Sequence, residues 1–142
     1  MTDEQDFEKK IAQILELIGI AVEAKAKELV PYDQGDLMRS IKHKVEGYSV
    51  IVYTESPYAY DMEFGTPPGE LDSSEKENIT EWAKRKGLPA GPVIRKIERE
   101  GIKVGTVTNP LETANHRFRP FMRPAFHQMA PGIKSIFANN FK

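Results

Sequence analysis

Phe7, Ile11, Ile14, Leu15, Ile18, Val22, Ala26 and Leu29 recur at steps of three and four, with charged residues between them. This is the stripe of one amphipathic helix, and the spacing predicts it over about residues 4 to 29. At a rise of about 1.5 Å per residue it is roughly 39 Å long. One end is therefore expected to project or to pack on something else. Val30-Pro31 stops it, because a proline pushes the residue before it out of the helical region. Asp33-Gln34-Gly35-Asp36 reads as a turn, followed by a helical turn or a strand start near Leu37 to Ser40. Ile41, His43 and Val45 then alternate with Lys42 and Lys44. After Glu46-Gly47 comes the β-rich run Tyr48 to Thr54, which predicts a hairpin.

Pro57 to Phe64 fits a helical turn or a strand, and Gly65-Thr66-Pro67-Pro68-Gly69 ends it. The stretch from Gly65 to Ser73 is expected to be a mobile loop. Two helices follow, Ser74 to Lys86 around Ile79, Trp82 and Ala83, and Gly91 to Glu100 around Val93, Ile94 and Ile97, with Gly101 as C-terminal cap. Ile102 to Thr108 alternates weakly, as a strand would, and Asn109 to Arg119 reads as a loop. Pro124 suits the start of a last helix, anchored by Phe121 and Phe126, that carries Met129, Ile133, Phe137 and Phe141 onward. Pro131-Gly132 is expected to kink or split it.

Composition narrows the class. The 142 residues, 29% of them charged with a net charge of -1, suit one globular domain able to bury a core without staples. The chain has no cysteine, which removes disulfides, thiolate metal sites and cysteine nucleophiles. The acidic start, Met1 to Lys10, lacks the apolar segment of a secretory signal, and no run approaches a membrane span. A cytoplasmic product that does not coat nucleic acid by bulk charge is expected.

Candidate chemistry is sparse. His43, His116 and His127 stand far apart in no ligand spacing, so no metal site is expected, and no glycine-rich phosphate loop or GxSxG elbow occurs. Asp61 and Glu63 share a face only in a strand, and nothing accompanies them to make an acid-base pair. No cofactor is expected and the chain is not expected to be an enzyme. Charge, by contrast, is blocky. Asp61 to Glu81 holds seven acids against Lys76, and Lys84 to Lys103 holds seven bases against Glu98 and Glu100, net -6 and +5. Adjacent blocks of this kind either form solvated faces with some intramolecular pairing or make complementary surfaces between subunits. The helix pair from 74 to 101 also has the outline of a helix-turn-helix, with Arg95, Lys96 and Arg99 on its second helix.

Three peptides carry more. Val30-Pro31-Tyr32-Asp33-Gln34-Gly35-Asp36-Leu37-Met38-Arg39-Ser40-Ile41, Tyr58-Ala59-Tyr60-Asp61-Met62-Glu63-Phe64-Gly65-Thr66 and Arg119-Pro120-Phe121-Met122-Arg123-Pro124-Ala125-Phe126 follow a leading helix in this order. The ordered set, over about residues 5 to 130, resembles the tailed-bacteriophage neck family of head-tail connector and tail-completion proteins. Gln34 stands where members carry Thr, and Met62 and Met122 stand for Val and Leu with apolar character kept.

The resemblance implies an α+β fold, with a long N-terminal helix and a C-terminal helix packed on a small, mainly antiparallel sheet. It implies one domain over 1–142 with an inserted helical pair at about 74–101. It also implies a structural protein of a phage or prophage, a subunit of a ring that joins the DNA-filled head to the tail and lines the DNA passage. The partners expected are copies of itself, neighbouring head-completion and tail proteins and DNA in transit, with no membrane. The locations expected are the virion neck and, during assembly, the host cytoplasm. Tyr58, Tyr60, Glu63, Phe64, Arg95, Lys96, Arg99, Arg119 and Arg123 are the candidate interface residues. A domain of this length has a radius of gyration of about 14–15 Å and a hard radius of about 19 Å. Six such spheres in a ring leave a hole of about that radius and three leave about 3 Å, so a hexamer is expected in the virion. Surface charge pairing is weak and screened by salt, so without a template the isolated domain is expected to be a monomer. The alternatives are a small DNA-binding regulator using 74–101, or a phage hydrolase.

Overall fold

The computed structural model describes residues 2–31, 35–110 and 119–141. The chain is α+β, with long first and last helices, a two-stranded antiparallel sheet and additional helices. It divides into two compact units, Met1–Glu55 with Phe121–Lys142, and Ser56–Pro120. The intervening unit is thus wider than the helical pair at 74–101, taking in both flanks of that pair.

The first unit is organised by α1, Asp3–Leu29. Thr2 and Gln5 cap its start reciprocally, with Gln5 N–H donating to Thr2 Oγ1 at 3.2 Å and Thr2 N–H donating to Gln5 Oε1 at 3.0 Å. Val30, extended before Pro31, ends it. Of the apolar stripe, Ile14, Leu15, Ile18, Val22 and Ala26 are buried. Phe7, near the far end, packs on Phe141 with ring centroids 6.2 Å apart, so the projecting end meets the end of the last helix.

The short α2, Gly35–Ser40, buries Leu37. Ser40 donates its hydroxyl proton to the Leu37 carbonyl at 2.6 Å, which leaves its oxygen to accept from Thr54, also at 2.6 Å. That pair ties α2 to the end of the hairpin. The turn expected at Asp33 and Gln34 lies outside the described residues.

Strands β1, Lys42–Glu46, and β2, Ser49–Tyr53, pair in register from Lys42 opposite Tyr53 to Glu46 opposite Ser49, joined by Gly47-Tyr48. His43, Val45, Val50 and Val52 are half-buried, while Lys42, Lys44, Glu46 and Ile51 are exposed, the alternation of a sheet with one covered face. The hairpin and the last helix, α6 (Met122–Asn140), both pack against α1.

One expectation for α6 is corrected and a second is narrowed. Phe121, the cap residue, is 1% exposed, but Phe126 is 38% exposed; Pro124 and Ala125 are buried instead. At about 100° per residue, Ala125 sits one turn beyond Phe121 on its face and the next residue rotates away. Pro131 does not split the helix, which is continuous through it. Pro124, third in the helix, lies in the first turn, where its missing N–H costs nothing.

The second unit contains α3, Ala59–Phe64, so the segment left open between helix and strand is a helix. It also contains α4, Ser73–Arg85, capped by Asp72 and Glu75, and α5, Ala90–Glu100. Leu71, Ile79, Ile97 and Ile102 form its apolar cluster, with Val93, Ile94 and Val104 against it.

Ile102 to Thr108 is not a strand. Its only ladder contact among the described residues is one bridge, in which Thr66 N–H donates to the Ile102 carbonyl at 2.9 Å and Ile102 N–H to that of Thr66 at 2.7 Å. Nor is the stretch from Gly65 to Ser73 a free loop. Besides that bridge, Gly69 N–H donates to the Glu98 carbonyl at 2.8 Å, Leu71 N–H donates to Glu98 Oε2 at 3.1 Å, and Leu71 is buried. The glycines and prolines that signal a loop here shape a tethered one. Of the expected loop at 109–119, residues 111–118 lie outside the described residues, as does His116.

Candidate assembly surfaces

On α3, alternate aromatics go opposite ways. Tyr58, just before the helix, is 6% exposed; Arg85 donates to its hydroxyl at 2.9 Å and places its guanidinium carbon 5.9 Å from the ring centroid. Glu63 is buried as well. Tyr60 is 70% and Phe64 50% exposed, and their rings pack at 4.8 Å between centroids. Of the candidate interface residues in this helical segment, Tyr60 and Phe64 thus present surface, while Tyr58 and Glu63 do not.

Beside this pair lie two open hollows that share the Thr66-Pro67 ridge. The larger, about 600 Å³, runs between Phe64, Pro68, Ile102 and Val104. The smaller, about 320 Å³, is bounded by Pro57, Tyr60, Asp61 and Glu75. Asp61 and Glu75 were not among the candidate interface residues. Asp61 falls beside Glu75 only because the tethered loop brings α4 back to α3, and no local pattern announces that.

The basic block resolves into a face. Arg95, Lys96 and Arg99 are exposed on α5, at spacings that keep them together. Glu98, between them in sequence, is turned inward to accept from Leu71 N–H, which removes an acid from that face. Among the described residues Arg95 and Lys96 form no ion pair, and neither do Glu70, Glu77 and Glu81 of the acidic block; Arg99 is 3.9 Å from Glu100. Arg119 and Arg123, on either side of the boundary between the units, are half-buried.

Residues 1–65 match the family described as "Bacteriophage HK97-gp10, putative tail-component". Over those residues, a little under half of its length, the chain is similar to a phage tail-component family. That match takes in the first of the three peptides and all but the last residue of the second, and it stops before the third. No curated protein and no solved structure matches the chain. Within the matched segment lie α1, α2, the hairpin and α3. Among the described residues no helix is long and apolar enough to cross a membrane.

The matched segment also holds a charged clamp that position in the sequence does not reveal. His43 of β1 lies between two carboxylates of α1, with Nε2 2.7 Å from Glu16 Oε1 and Nδ1 3.0 Å from Glu23 Oε1. Lys27 pairs with Glu23 at 3.2 Å. Gly19, between the two glutamates, clears the space, since a Cβ there would stand 2.5 Å from His43 Cδ2.

The Glu16 bond raises the His43 pKa above its usual 6.5 against the opposing effect of burial, and the Glu23 bond adds to it. Burial pushes the Glu23 carboxyl up, but its bonds to His43 and Lys27 outweigh that and leave it below 4.5. The histidine's stabilisation is therefore complete below pH 6.5 and lost as pH rises through the raised value. That of the glutamate is present above pH 4.5 and lost as pH falls through the lowered one. Urea unfolding should accordingly give greatest stability between about pH 4.5 and 6.5 from this clamp, and His43→Gln should flatten the loss above it. An unchanged slope above pH 6.5 in His43→Gln would remove the clamp as its source.

Proposed function

We propose that this protein is a structural subunit of the phage neck, forming a ring between head and tail. In this ring the acidic surface of α4 and the segment before it meets the basic face of α5 on the next copy. The observation that carries the reading is that the two charge blocks are left unpaired at Arg95, Lys96, Glu70, Glu77 and Glu81 among the described residues. Two different patches on one subunit make a head-to-tail contact, which closes into a ring when the rotation allows. Opposed potentials orient that contact while adding little affinity in salt. A chain that is monomeric alone and ordered on a template fits this balance. The work done is assembly and the passage of DNA, and no reaction is asked of any residue. Head-completion proteins on one side and tail proteins on the other would be its neighbours.

Reversing Arg95, Lys96 and Arg99 to Glu is the direct test. The triple variant should keep its circular dichroism spectrum yet fail to enter necks, leaving unjoined heads and tails in electron micrographs. Normal joining by the folded variant would sink the charge-paired ring. The same exposed stripe is what a small duplex-binding regulator would present, and a saturable, salt-sensitive shift of short duplex DNA by the purified protein would favour that second reading.

A further inference from the structure

The smaller hollow joins two chemistries in one place. Tyr60 presents an exposed ring, and Asp61 and Glu75 present carboxylates, with Pro57, Thr66 and Pro67 completing the wall. Both acids are steadied by their own chain. Asp61 Oδ1 accepts from the Thr66 hydroxyl at 2.8 Å, and Glu75 Oε1 accepts from Asp72 N–H at 3.4 Å. Each keeps a second oxygen for a partner. Among the described residues neither acid pairs with a base, and no cation lies over Tyr60.

A flat aromatic face next to two fixed acceptors answers a guanidinium. Its planar fork lies flat on a ring and offers paired in-plane donors to a carboxylate, a geometry that the point charge of an ammonium lacks. The chain already sets a guanidinium against a tyrosine once, where Arg85 donates to the Tyr58 hydroxyl and lies 5.9 Å from its ring centroid. An arginine without an ionic partner is exposed on α5: Arg95 forms no ion pair among the described residues, whereas Arg99 has Glu100 beside it at 3.9 Å.

We infer that the hollow receives Arg95 from α5 of a second copy of this chain. The inference rests on the head-to-tail reading above and names its contact. One such docking leaves each pair of subunits with a hollow and an arginine still on offer, so the contact propagates. Charge complementarity selects the occupant: the hollow is acidic, and α5 supplies the exposed basic face.

The absence of cysteine makes a clean test possible. Asn78→Cys on the rim of the hollow and Pro92→Cys, three residues before Arg95, are placed in one chain. They are joined with a short bis-maleimide, both in purified protein at low salt and in phage particles that carry it. The expected product is a ladder of multimers that Arg95→Glu abolishes and the further change Asp61→Lys restores. A ladder indifferent to Arg95→Glu, or a folded chain present in particles without any ladder, overturns the inference and leaves the proposed function standing. Absence of the chain from necks and tails overturns the proposed function instead, and the low-salt ladder then decides the Arg95 contact alone.

Discussion

Replacing Phe121 with alanine is expected to cost about 3–5 kcal/mol, the usual loss for a buried phenylalanine. The side chain is 1% exposed and caps α6, so truncation removes its transfer energy, leaves a cavity and loosens the start of the helix. Phe126→Ala, five residues on and 38% exposed, should cost far less. More than a third of its surface already lies in water, so truncation removes less buried area and leaves no enclosed cavity. Urea unfolding followed by far-ultraviolet circular dichroism checks both. Equal losses at the two positions would mean that α6 is rotated from the orientation described, since a helix cannot bury both faces of this step equally against one side. A chain with roughly 10 kcal/mol of stability keeps its fold through the first change but with little margin.

Gly65→Ala and Gly101→Ala should each cost about 2–6 kcal/mol, from two causes that add. Both residues have φ of 73° with ψ near -174°, a region essentially reserved for glycine and worth about 1–3 kcal/mol to any other residue. Each also lies where two backbones cross. A Cβ on Gly65 would stand 2.3 Å from the Ile102 carbonyl oxygen, and one on Gly101 would stand 2.4 Å from that of Thr66, overlaps that add about 1–3 kcal/mol more. Gly87, with φ of 69° and nothing within 4 Å of its Cβ position, is the control. Gly87→Ala should pay for backbone conformation alone. Trp82, buried in the same unit and the only tryptophan in the chain, gives the fluorescence signal for a urea titration. If all three alanine variants lose the same stability, the crossing at Thr66 and Ile102 is looser than described.

Much of the fold follows from local pattern. The stripe from Ile14 to Ala26, Val30-Pro31 as its stop, the alternation through the hairpin and the glycine ending α5 each act within a few residues, through sterics and periodicity that any chain obeys. The three ordered peptides likewise resemble a phage neck family, and the match of residues 1–65 to a phage tail-component family takes in the first and nearly all of the second. What depended on tertiary structure was every choice among equally apolar or equally charged neighbours. Phe121 and Phe126 read alike in sequence, and only the packing of α6 buries one and exposes the other. Tyr58 and Tyr60 divide in the same way, one turned to Arg85 and one to solvent. The loop rich in glycine and proline is tethered because Glu98 reaches back to Gly69 and Leu71, a contact 27 residues long in sequence for its side chain and invisible to any window. The same inward turn of Glu98 makes α5 a basic face, and the loop it holds brings Asp61 beside Glu75. His43 belongs to a strand by alternation, yet its two carboxylate partners lie 20 and 27 residues earlier, on a helix. Local sterics choose the elements, but partners distant in sequence are chosen only when burial brings the elements together, because that alone decides which of several similar side chains loses water.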